Sequence, residues 1–306
     1  MDKWLVTGAT GLLGANAVLR LSRTARVVGS ARARPSVMSP ESFVEVDLAH
    51  ATSRAHLVER VSPDVVFHSA ALSSIEACAA DPALARALNV DASADLARQA
   101  ADMGARFVLV STDAVFDGHS GGYTEGDTTS PTTEYGRTKV AAERAVLDAN
   151  PDAIVARVNF YGWSPSGTRS LAEFFYRHLA QGKQVNGFTD ITVSTLYVED
   201  LVDAIAALVA TDASGTFHVA SSEAISKYEF GKLVARTLGY STDLVSPALS
   251  TDFLTHARGA DLSFSVSKFE AVVGKPLNDQ ATSIEGLRRA LLEGVPSDIA
   301  RFAHFG

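Results

Sequence analysis

Short apolar segments alternate with segments of helical periodicity through the first half of the chain. Val65–Phe67 and Phe107–Val110 are apolar at every position, which is typical of parallel strands covered on both faces. Regular strand–helix alternation predicts an α/β fold built on a doubly wound parallel sheet. The predicted strands are Lys3–Thr7, Arg26–Ser30, Phe43–Val46, Asp64–Ser69, Arg106–Ser111 and Ala153–Asn159, and the predicted helices are Leu12–Leu21, Ala51–Val61, Pro82–Met103 and Glu134–Asp148.

The alternation becomes less regular after Asn159. We therefore expect residues 1–159 to form a cofactor-binding domain and residues 160–306 to form mainly a smaller α/β substrate-binding lobe, with residues 190–214 returning to the first domain. Weak periodicity over residues 295–306 predicts a loosely docked tail. The predicted elements of the second half are the helices Leu171–Leu179, Val198–Val209 and Lys227–Leu238 and the strand Thr216–Val219.

Composition and charge limit the classes of partner and of bound group that this chain is expected to have. The net charge is −8, which disfavours nucleic acid. The apolar stretches are too short for a membrane span, and the first strand begins directly after the start, so no signal peptide is visible. Cys78 is the only cysteine, which excludes an internal disulfide and suits the cytoplasm, and the eight histidines lack metal-binding spacing. A homodimer is left open.

A glycine-rich turn lies between the first predicted strand and the first predicted helix. Gly8 permits a tight turn, Gly11 lets backbone N–H groups approach a pyrophosphate, and Gly14 allows close packing of helix on strand. This strand–turn–helix context is the one in which a glycine fingerprint indicates a Rossmann dinucleotide site. The neighbouring residues expected to contact the cofactor are Thr10, Leu12 and Leu13.

The end of the second strand favours one nicotinamide cofactor over the other. NAD(H) sites normally have an acidic residue there, whereas this chain has Arg32 and Arg34. Arginine suits a 2′-phosphate through bidentate and stacking contacts. NADP(H) is therefore preferred, with NAD(H) as the alternative, and Asp47 and Leu48 are expected near the adenine after the third strand.

Tyr135 and Lys139 are four residues apart on a predicted helix, so their side chains share one face. There the lysine ammonium can lower the pKa of the phenol and make it a usable proton donor. Thr112 follows the fifth strand, at the sheet edge where α/β proteins bind ligands. Its hydroxyl could hold a substrate carbonyl.

Taken together, these segments resemble the extended short-chain dehydrogenase/reductase superfamily, and most closely its dTDP-4-dehydrorhamnose reductase-like, sugar-nucleotide-binding branch. The resemblance implies a catalytic set of Thr112, Tyr135 and Lys139, with Asn89 supporting the lysine end. It also implies cofactor contacts from Ser69, Ala70 and Ala71. The segments that carry the resemblance are TGATGLLG at 7–14, HSAA at 68–71, LNVDAS at 88–93, STDAVFDG at 111–118, YGRTK at 135–139, RVNFYG at 157–162 and GTFHVA at 215–220.

The resemblance also implies where a sugar nucleotide would bind. Ser194 stands where this branch commonly has proline, so the local geometry of that loop is open. The candidate substrate contacts are Ser73, Ser74, Thr112, Asp113, Phe160 and Thr195.

Members of the superfamily reduce, epimerise or dehydrate sugar nucleotides. The 4,6-dehydratases carry an Asp-Glu pair after the strand-five threonine, whereas this chain has Asp113-Ala114, so dehydration is disfavoured. The arginines favour NADPH-dependent reduction of a 4-keto sugar nucleotide. Two alternatives stay open. One is a 4-epimerase. The other is a non-catalytic NADP-binding subunit similar to the regulatory subunit of methionine adenosyltransferase, which residues 29–35 resemble.

Overall fold

The structure, a computed structural model, describes residues 2–253 and 260–305. Its strands are β1 (Lys3–Thr7), β2 (Arg26–Ala31), β3 (Phe43–Glu45), β4 (Val65–His68), β5 (Arg106–Thr112), β6 (Ile154–Val158), β7 (Phe160–Tyr161), β8 (Val185–Phe188), β9 (Thr192–Val193), β10 (Leu196–Tyr197), β11 (Gly215–Val219), β12 (Ile225–Ser226) and β13 (Val245–Ala248). The central sheet has the order β3-β2-β1-β4-β5-β6-β11, and its strand pairs are all parallel. This order is that of a Rossmann sheet with one added strand, which confirms the predicted fold class.

Helices cover both faces of this sheet. Strand residues alternate between the two sides, so that Val6 joins the apolar cluster on one face of the sheet and Leu5 joins the cluster on the other. The helices are α1 (Leu12–Leu21), α2 (Ala51–Arg54), α3 (Leu57–Val61), α4 (Ile75–Ala80), α5 (Pro82–Arg86), α6 (Ala92–Asp102), α7 (Glu134–Ala149), α8 (Leu171–Leu179), α9 (Val198–Val209), α10 (Lys227–Thr237), α11 (Ser267–Val273), α12 (Gln280–Leu292) and α13 (Val295–Ala300).

Two predicted helices of the first half are interrupted in the structure. The helix expected over 51–61 is divided because His56 has a left-handed backbone, with φ of +58°. The helix expected over 82–103 contains a π-helical turn, Ala87–Asp91, between α5 and α6. Such turns frequently occur at functional sites, and this one contains Asn89.

The second half contributes three two-stranded pairs and one strand of the central sheet. The pairs are β7 with β10, β9 with β12, and β8 with β13. The strand β11 differs from the prediction that put it in the smaller lobe, because its backbone pairs in register with β6 as the seventh strand. Helix α9 packs against α1 beside that sheet. The proposed division at residue 159 into cofactor and substrate parts stays a prediction.

The C-terminal residues are more closely packed than their weak periodicity predicted. Val295 and Ile299 of α13 are buried, and Phe302 is 1% exposed within the larger apolar cluster. Within the described part of the chain, no helix is both long and apolar enough to cross a bilayer. The same residues include no group of three or more His, Cys, Asp or Glu side chains arranged for a metal ion.

Candidate active site

The glycine turn has the geometry that a bound pyrophosphate needs. Gly8 has a left-handed backbone, with φ of +69°, and a Cβ there would lie 2.9 Å from the backbone of Ala70. A Cβ on Gly14 would lie 2.0 Å from the carbonyl oxygen of Gly8. Both positions therefore require glycine, one for its backbone conformation and the other for close packing of α1 against the turn.

The N-terminus of α1 is open to an anion. Its N-cap is Gly11, which has no side chain to satisfy the first N–H groups of the helix. Thr10 and Leu12 are half-buried beside this turn, whereas Leu13 faces the core and is 5% exposed. Free N–H groups at a helix N-terminus bind phosphate, so this turn fits the pyrophosphate of a dinucleotide.

The loop after β2, residues 32–38, is referred to below as the arginine loop. Arg32 is exposed, and Arg34 is half-buried. The Arg34 guanidinium donates from Nη1 to the carbonyl oxygen of Met38 at 2.5 Å, and its backbone N–H donates to Glu45 Oε1 at 3.1 Å. Arg34 is therefore held within the loop, while Arg32 projects from it. Contact of either residue with a 2′-phosphate stays a prediction.

The other predicted cofactor residues lie on turns at the same sheet edge. Ser69 donates its hydroxyl to the Thr7 carbonyl at 2.7 Å, and the Ala70 N–H donates to Thr7 Oγ1 at 3.3 Å, which fixes the turn after β4 against that after β1. Ala71 is exposed. Asp47 accepts from the Ala49 N–H at 3.0 Å and so caps its own turn, and Leu48 is buried.

Helix α7 carries Tyr135 and Lys139 and begins with a hydrogen-bonded cap. The Thr133 hydroxyl accepts from the N–H of Gly136 at 3.1 Å. A Cβ on Gly136 would lie only 2.2 Å from the Ala114 carbonyl oxygen, so this glycine lets the helix approach the turn after β5. The close approach brings the Tyr135 phenol within hydrogen-bonding reach of Thr112.

The pKa of Tyr135 differs from the sequence-based expectation. Burial raises the pKa of this phenol, and the nearby Asp113 carboxylate adds to the rise, although a hydrogen bond with Thr112 opposes it. The expected lowering by the Lys139 ammonium is not found in this structure, and desolvation is the largest cause of the shift. The phenol is therefore protonated at neutral pH, the state that a proton donor requires.

Lys139 is held beneath the site, with 2% of its surface exposed. Its ammonium donates to the carbonyl oxygen of Val110 at 2.7 Å. Burial lowers the pKa of Lys139 to about 8, while the Glu143 carboxylate one turn later in α7 acts in the opposite direction. Below that pH the side chain is an ammonium that can bind ribose hydroxyls.

Asn89 connects the catalytic helix to the turn after β4. Its side chain accepts from the Leu72 N–H at 2.8 Å and donates to the Leu72 carbonyl at 3.0 Å and to Thr138 Oγ1 at 2.9 Å. Asn89 therefore reaches the residue next to Lys139 rather than the lysine itself. Its support of the lysine end is indirect, through the position of α7.

Sequence reasoning missed a buried ion pair behind Lys139. Arg157 donates to both carboxylate oxygens of Glu143, with the shortest contact 2.8 Å, and Ser111 donates to the same carboxylate at 2.5 Å. Glu143 lies eight residues after Tyr135, on the same face of α7, and that spacing could have identified it. Arg157 also approaches His218 Nε2 at 3.4 Å, so the network reaches β11.

A second missed residue holds the substrate candidate Asp113. The Asn159 amide donates to Asp113 Oδ2 at 2.5 Å, and the Thr112 hydroxyl donates to Asp113 Oδ1 at 3.0 Å. Burial raises the pKa of Asp113, whereas these hydrogen bonds and the charge of Lys227 lower it. Lys227 begins α10, so the smaller lobe brings a positive charge towards the turn after β5.

The remaining substrate candidates are less clearly arranged around one point. Ser73 and Ser74 are exposed, and the Ser74 hydroxyl accepts from the Ala77 N–H at 3.1 Å as the N-cap of α4. Phe160 is half-buried in β7, and Thr195 is 1% exposed. The Ser194 hydroxyl accepts from the Phe264 N–H at 3.1 Å, a contact that a proline at this position could not make. The roles of these residues stay predictions.

Comparison with known families identifies this arrangement. The family model "RmlD substrate binding domain" matches residues 2–291. The chain belongs to this family. Membership confirms the predicted class, the extended short-chain dehydrogenases/reductases, which are NAD(P)-dependent oxidoreductases.

The proteins similar to this chain include both reductases and a subunit of methionine adenosyltransferase. A probable low-salt glycan biosynthesis reductase of Haloferax volcanii is 33% identical over 92% of this chain and 96% of its own length. A dTDP-4-dehydrorhamnose reductase of Mycobacterium tuberculosis is 30% identical over 89% of this chain and 88% of its length. The methionine adenosyltransferase 2 subunit beta of Rattus norvegicus is also 30% identical, over 88% of this chain and 81% of its length.

A solved RmlD structure has the same fold. The dTDP-4-dehydrorhamnose reductase of Bacillus anthracis, in complex with NADP, superposes with a TM-score of 0.80 at 22% identity and covers 94% of this chain and 99% of its own. The similarity extends over nearly the whole chain, so the smaller lobe as well as the Rossmann sheet follows the family's architecture.

Proposed function

We propose that this protein reduces the 4-keto group of a sugar nucleotide to a hydroxyl with NADPH. The observation that carries the proposal is the convergence of Thr112, Tyr135 and Lys139 at the sheet edge beside the Gly8–Gly14 turn. Reductases of sugar metabolism among the relatives, at 33% and 30% identity, support this substrate class.

The side chains at this edge have separable roles. The Thr112 hydroxyl, which donates to Asp113 Oδ1 in the structure, turns to donate to the carbonyl oxygen of the substrate. The Tyr135 phenol gives its proton to that oxygen as the alkoxide forms. The Lys139 ammonium binds ribose hydroxyls and stabilises the phenolate that remains. When bound, NADPH supplies the hydride. The protonated state of Tyr135 at neutral pH suits reduction, because the phenol is the group that must donate.

NADPH rather than NADH is proposed because of the charge of the arginine loop. Arg32 and Arg34 supply two guanidinium groups directly after β2, where NAD(H) sites normally offer a carboxylate. A guanidinium pairs with a phosphate dianion through two hydrogen bonds, which strengthens binding of the 2′-phosphate. The Bacillus anthracis relative was solved with NADP, in agreement with this choice.

The turn after β5 argues against dehydration. Asp113 is followed by Ala114, whose main chain packs against Gly136 and whose side chain has no acid or base. Elimination of water would need both an acid and a base at this edge in addition to Tyr135. A carbonyl reduction needs a single proton donor, so the residues present are sufficient for it.

A second candidate is a non-catalytic, NADP-binding regulatory subunit. The 30% identity to methionine adenosyltransferase 2 subunit beta over 88% of the chain favours it. Both candidates share the glycine turn and the Tyr135–Lys139 pair, so they differ in turnover rather than in cofactor binding. A 4-epimerase would instead retain its cofactor and consume none.

The test is oxidation of NADPH, followed by absorbance, across a panel of 4-keto-6-deoxy sugar nucleotides with different bases. We expect steady oxidation with at least one of them, and the same cofactor affinity but a turnover lowered by about 10²–10⁴-fold in Tyr135→Phe. Tight NADPH binding without turnover across the panel, together with a co-purified partner enzyme, would instead favour the regulatory subunit.

A further inference from the structure

The arginine loop is joined to the far end of the chain. The backbone N–H of Ser36 donates to the carbonyl oxygen of His304 at 2.7 Å, and Pro35 forms an antiparallel bridge with Phe305. Residues 301–305, the C-terminal segment, thus add a short backbone pairing to this loop. Both contacts are made by main-chain atoms. The Phe305 side chain is 58% exposed.

The C-terminal segment is itself anchored in the core. Phe302 is 1% exposed, and Ile299 of α13 is fully buried, in the same apolar cluster as Met38 of the arginine loop. The His304 N–H donates to the Arg301 carbonyl at 3.2 Å, which closes the turn between the anchor and the bridge. The segment can therefore act as a fixed support rather than as a flexible tail.

The contacts continue from the segment to Arg34. The Met38 N–H donates to the Pro35 carbonyl at 3.0 Å, and the Met38 carbonyl accepts from the Arg34 guanidinium at 2.5 Å. Pro35, held by Phe305, is thus one hydrogen bond away from the residue that orients the Arg34 side chain. Movement of this turn would move the guanidinium that is expected to face a 2′-phosphate.

The pyrophosphate turn has a different support. It is held by the Gly11 N–H, which donates to the Gly8 carbonyl at 2.9 Å, and by the Ala9 N–H, which donates to the Ser30 carbonyl at 3.1 Å. These bonds join residues of the turn to one another and to β2, and they do not include the C-terminal segment. Loss of the segment should therefore affect the 2′-phosphate end of the cofactor and spare the pyrophosphate end.

We propose that the C-terminal segment positions the arginine loop and thereby sets the preference of this protein for NADP(H) over NAD(H). The inference rests on the proposed function in one respect, the use of NADPH. It adds that the selecting guanidinium groups depend on residues about 270 positions away along the chain. The segment is a positioning element, because it acts through its main-chain contacts with the loop.

The test compares two variants with the parent protein, and it measures their affinities for NADPH, NADH and 2′,5′-ADP by titration. Deletion of residues 304–306 removes the support, and the double substitution His304→Ala with Phe305→Ala keeps its main-chain contacts. We expect the deletion to weaken NADPH and 2′,5′-ADP binding roughly tenfold while NADH binding is unchanged, since tenfold corresponds to the loss of about one good hydrogen bond. The alanine variant should bind all three ligands like the parent protein.

A third variant keeps the proposal testable if the deletion variant fails to fold. Ser36→Pro keeps the whole segment but removes the N–H that donates to His304, and the same selective loss is expected. An unchanged ratio of NADPH to NADH affinity in a folded variant, or an equal loss for both cofactors, would overturn the role of the segment. A parent protein that binds NADPH no better than NADH would overturn the cofactor assignment instead.

Discussion

The catalytic side of the sheet edge and the side expected to bind the sugar nucleotide are built differently. Lys139 and Asn89 are almost fully buried, and each has hydrogen-bond partners within the protein. Ser73 and Ser74, by contrast, are exposed, and Ser74 already uses its hydroxyl as a helix cap. The groups proposed for the chemistry are thus fixed before a substrate arrives, whereas two of the residues proposed to contact the sugar nucleotide, Ser73 and Ser74, lie at the surface.

The largest expected effect separates the two sides by activity. Tyr135→Phe removes the proton donor and should lower kcat by about 10²–10⁴-fold, the usual contribution of a general acid. Ser74→Ala, the matched change on the exposed side, should alter kcat by no more than a few fold. Steady-state kinetics with a 4-keto sugar nucleotide measures both. Similar losses of kcat in the two variants would show that the two sides of the site do not differ in their contribution to catalysis.

The ion pair behind Lys139 is expected to dominate the stability of the catalytic side. Glu143→Gln leaves the buried guanidinium of Arg157 without its counter-charge and should destabilise the protein by about 3–5 kcal/mol. Glu285→Gln breaks an exposed pair with Arg288 and should change stability by about 0–1 kcal/mol. Urea denaturation gives the two values, and equal values would show that burial of the first pair is unimportant.

Burial of a histidine beneath the site predicts that the stability of the protein depends on pH. His68 is buried between Thr7 and Ser93, and desolvation lowers its pKa to about 3. In the unfolded chain the His68 side chain has a pKa near 6.5. Between about pH 6.5 and 3 the unfolded state therefore binds a proton on this imidazole that the folded state does not. Stability should therefore fall by several kcal/mol as the pH is lowered through this range.

His68→Gln tests that assignment, because glutamine offers a donor and an acceptor but does not titrate. Its stability should fall less steeply with decreasing pH than that of the parent protein, as followed by thermal melts. His218, with a pKa lowered by burial to about 4, contributes over the same range, so a part of the slope remains. Identical slopes in the two proteins would exclude His68 as a source.

On the exposed side, a smaller effect is expected than from Tyr135→Phe or Glu143→Gln. Ser74→Ala removes the N-cap of α4 and should destabilise the protein by about 1 kcal/mol. Chemical denaturation checks this, and the KM for the sugar nucleotide shows whether the hydroxyl also contacts substrate. A rise in KM with little change in stability would make Ser74 a substrate residue rather than a cap.

The parts of the site that the sequence predicts are those encoded locally. Gly8, Gly11 and Gly14 lie close together in the turn and the start of α1, and Tyr135 and Lys139 lie on one helix, so spacing alone identifies them. The pairs Glu143–Arg157 and Asn159–Asp113 join different elements through a parallel sheet, and local periodicity carries no information about such contacts. The bridge from Pro35 to Phe305 is the extreme case, because the two residues are about 270 positions apart in the chain.

Two local predictions were wrong for a different reason. The helix over 51–61 is divided by the left-handed backbone of His56, a conformation that periodicity does not reveal for a residue other than glycine. The expected lowering of the Tyr135 pKa by Lys139 considered only the neighbouring charge. Desolvation of both side chains, which depends on the packing around them, is the larger influence.

The most direct test of the account follows the hydride. NADPH deuterated at the transferable C4 position is incubated with the protein and a 4-keto-6-deoxy sugar nucleotide, and the product is analysed by mass spectrometry and NMR. We predict one deuterium at C4 of the sugar for each NADPH oxidised, and a rate of labelling that is about 10²–10⁴-fold lower with Tyr135→Phe. An unlabelled sugar epimer, or bound NADPH that is never oxidised, would contradict the assignment of this protein as a sugar-nucleotide reductase.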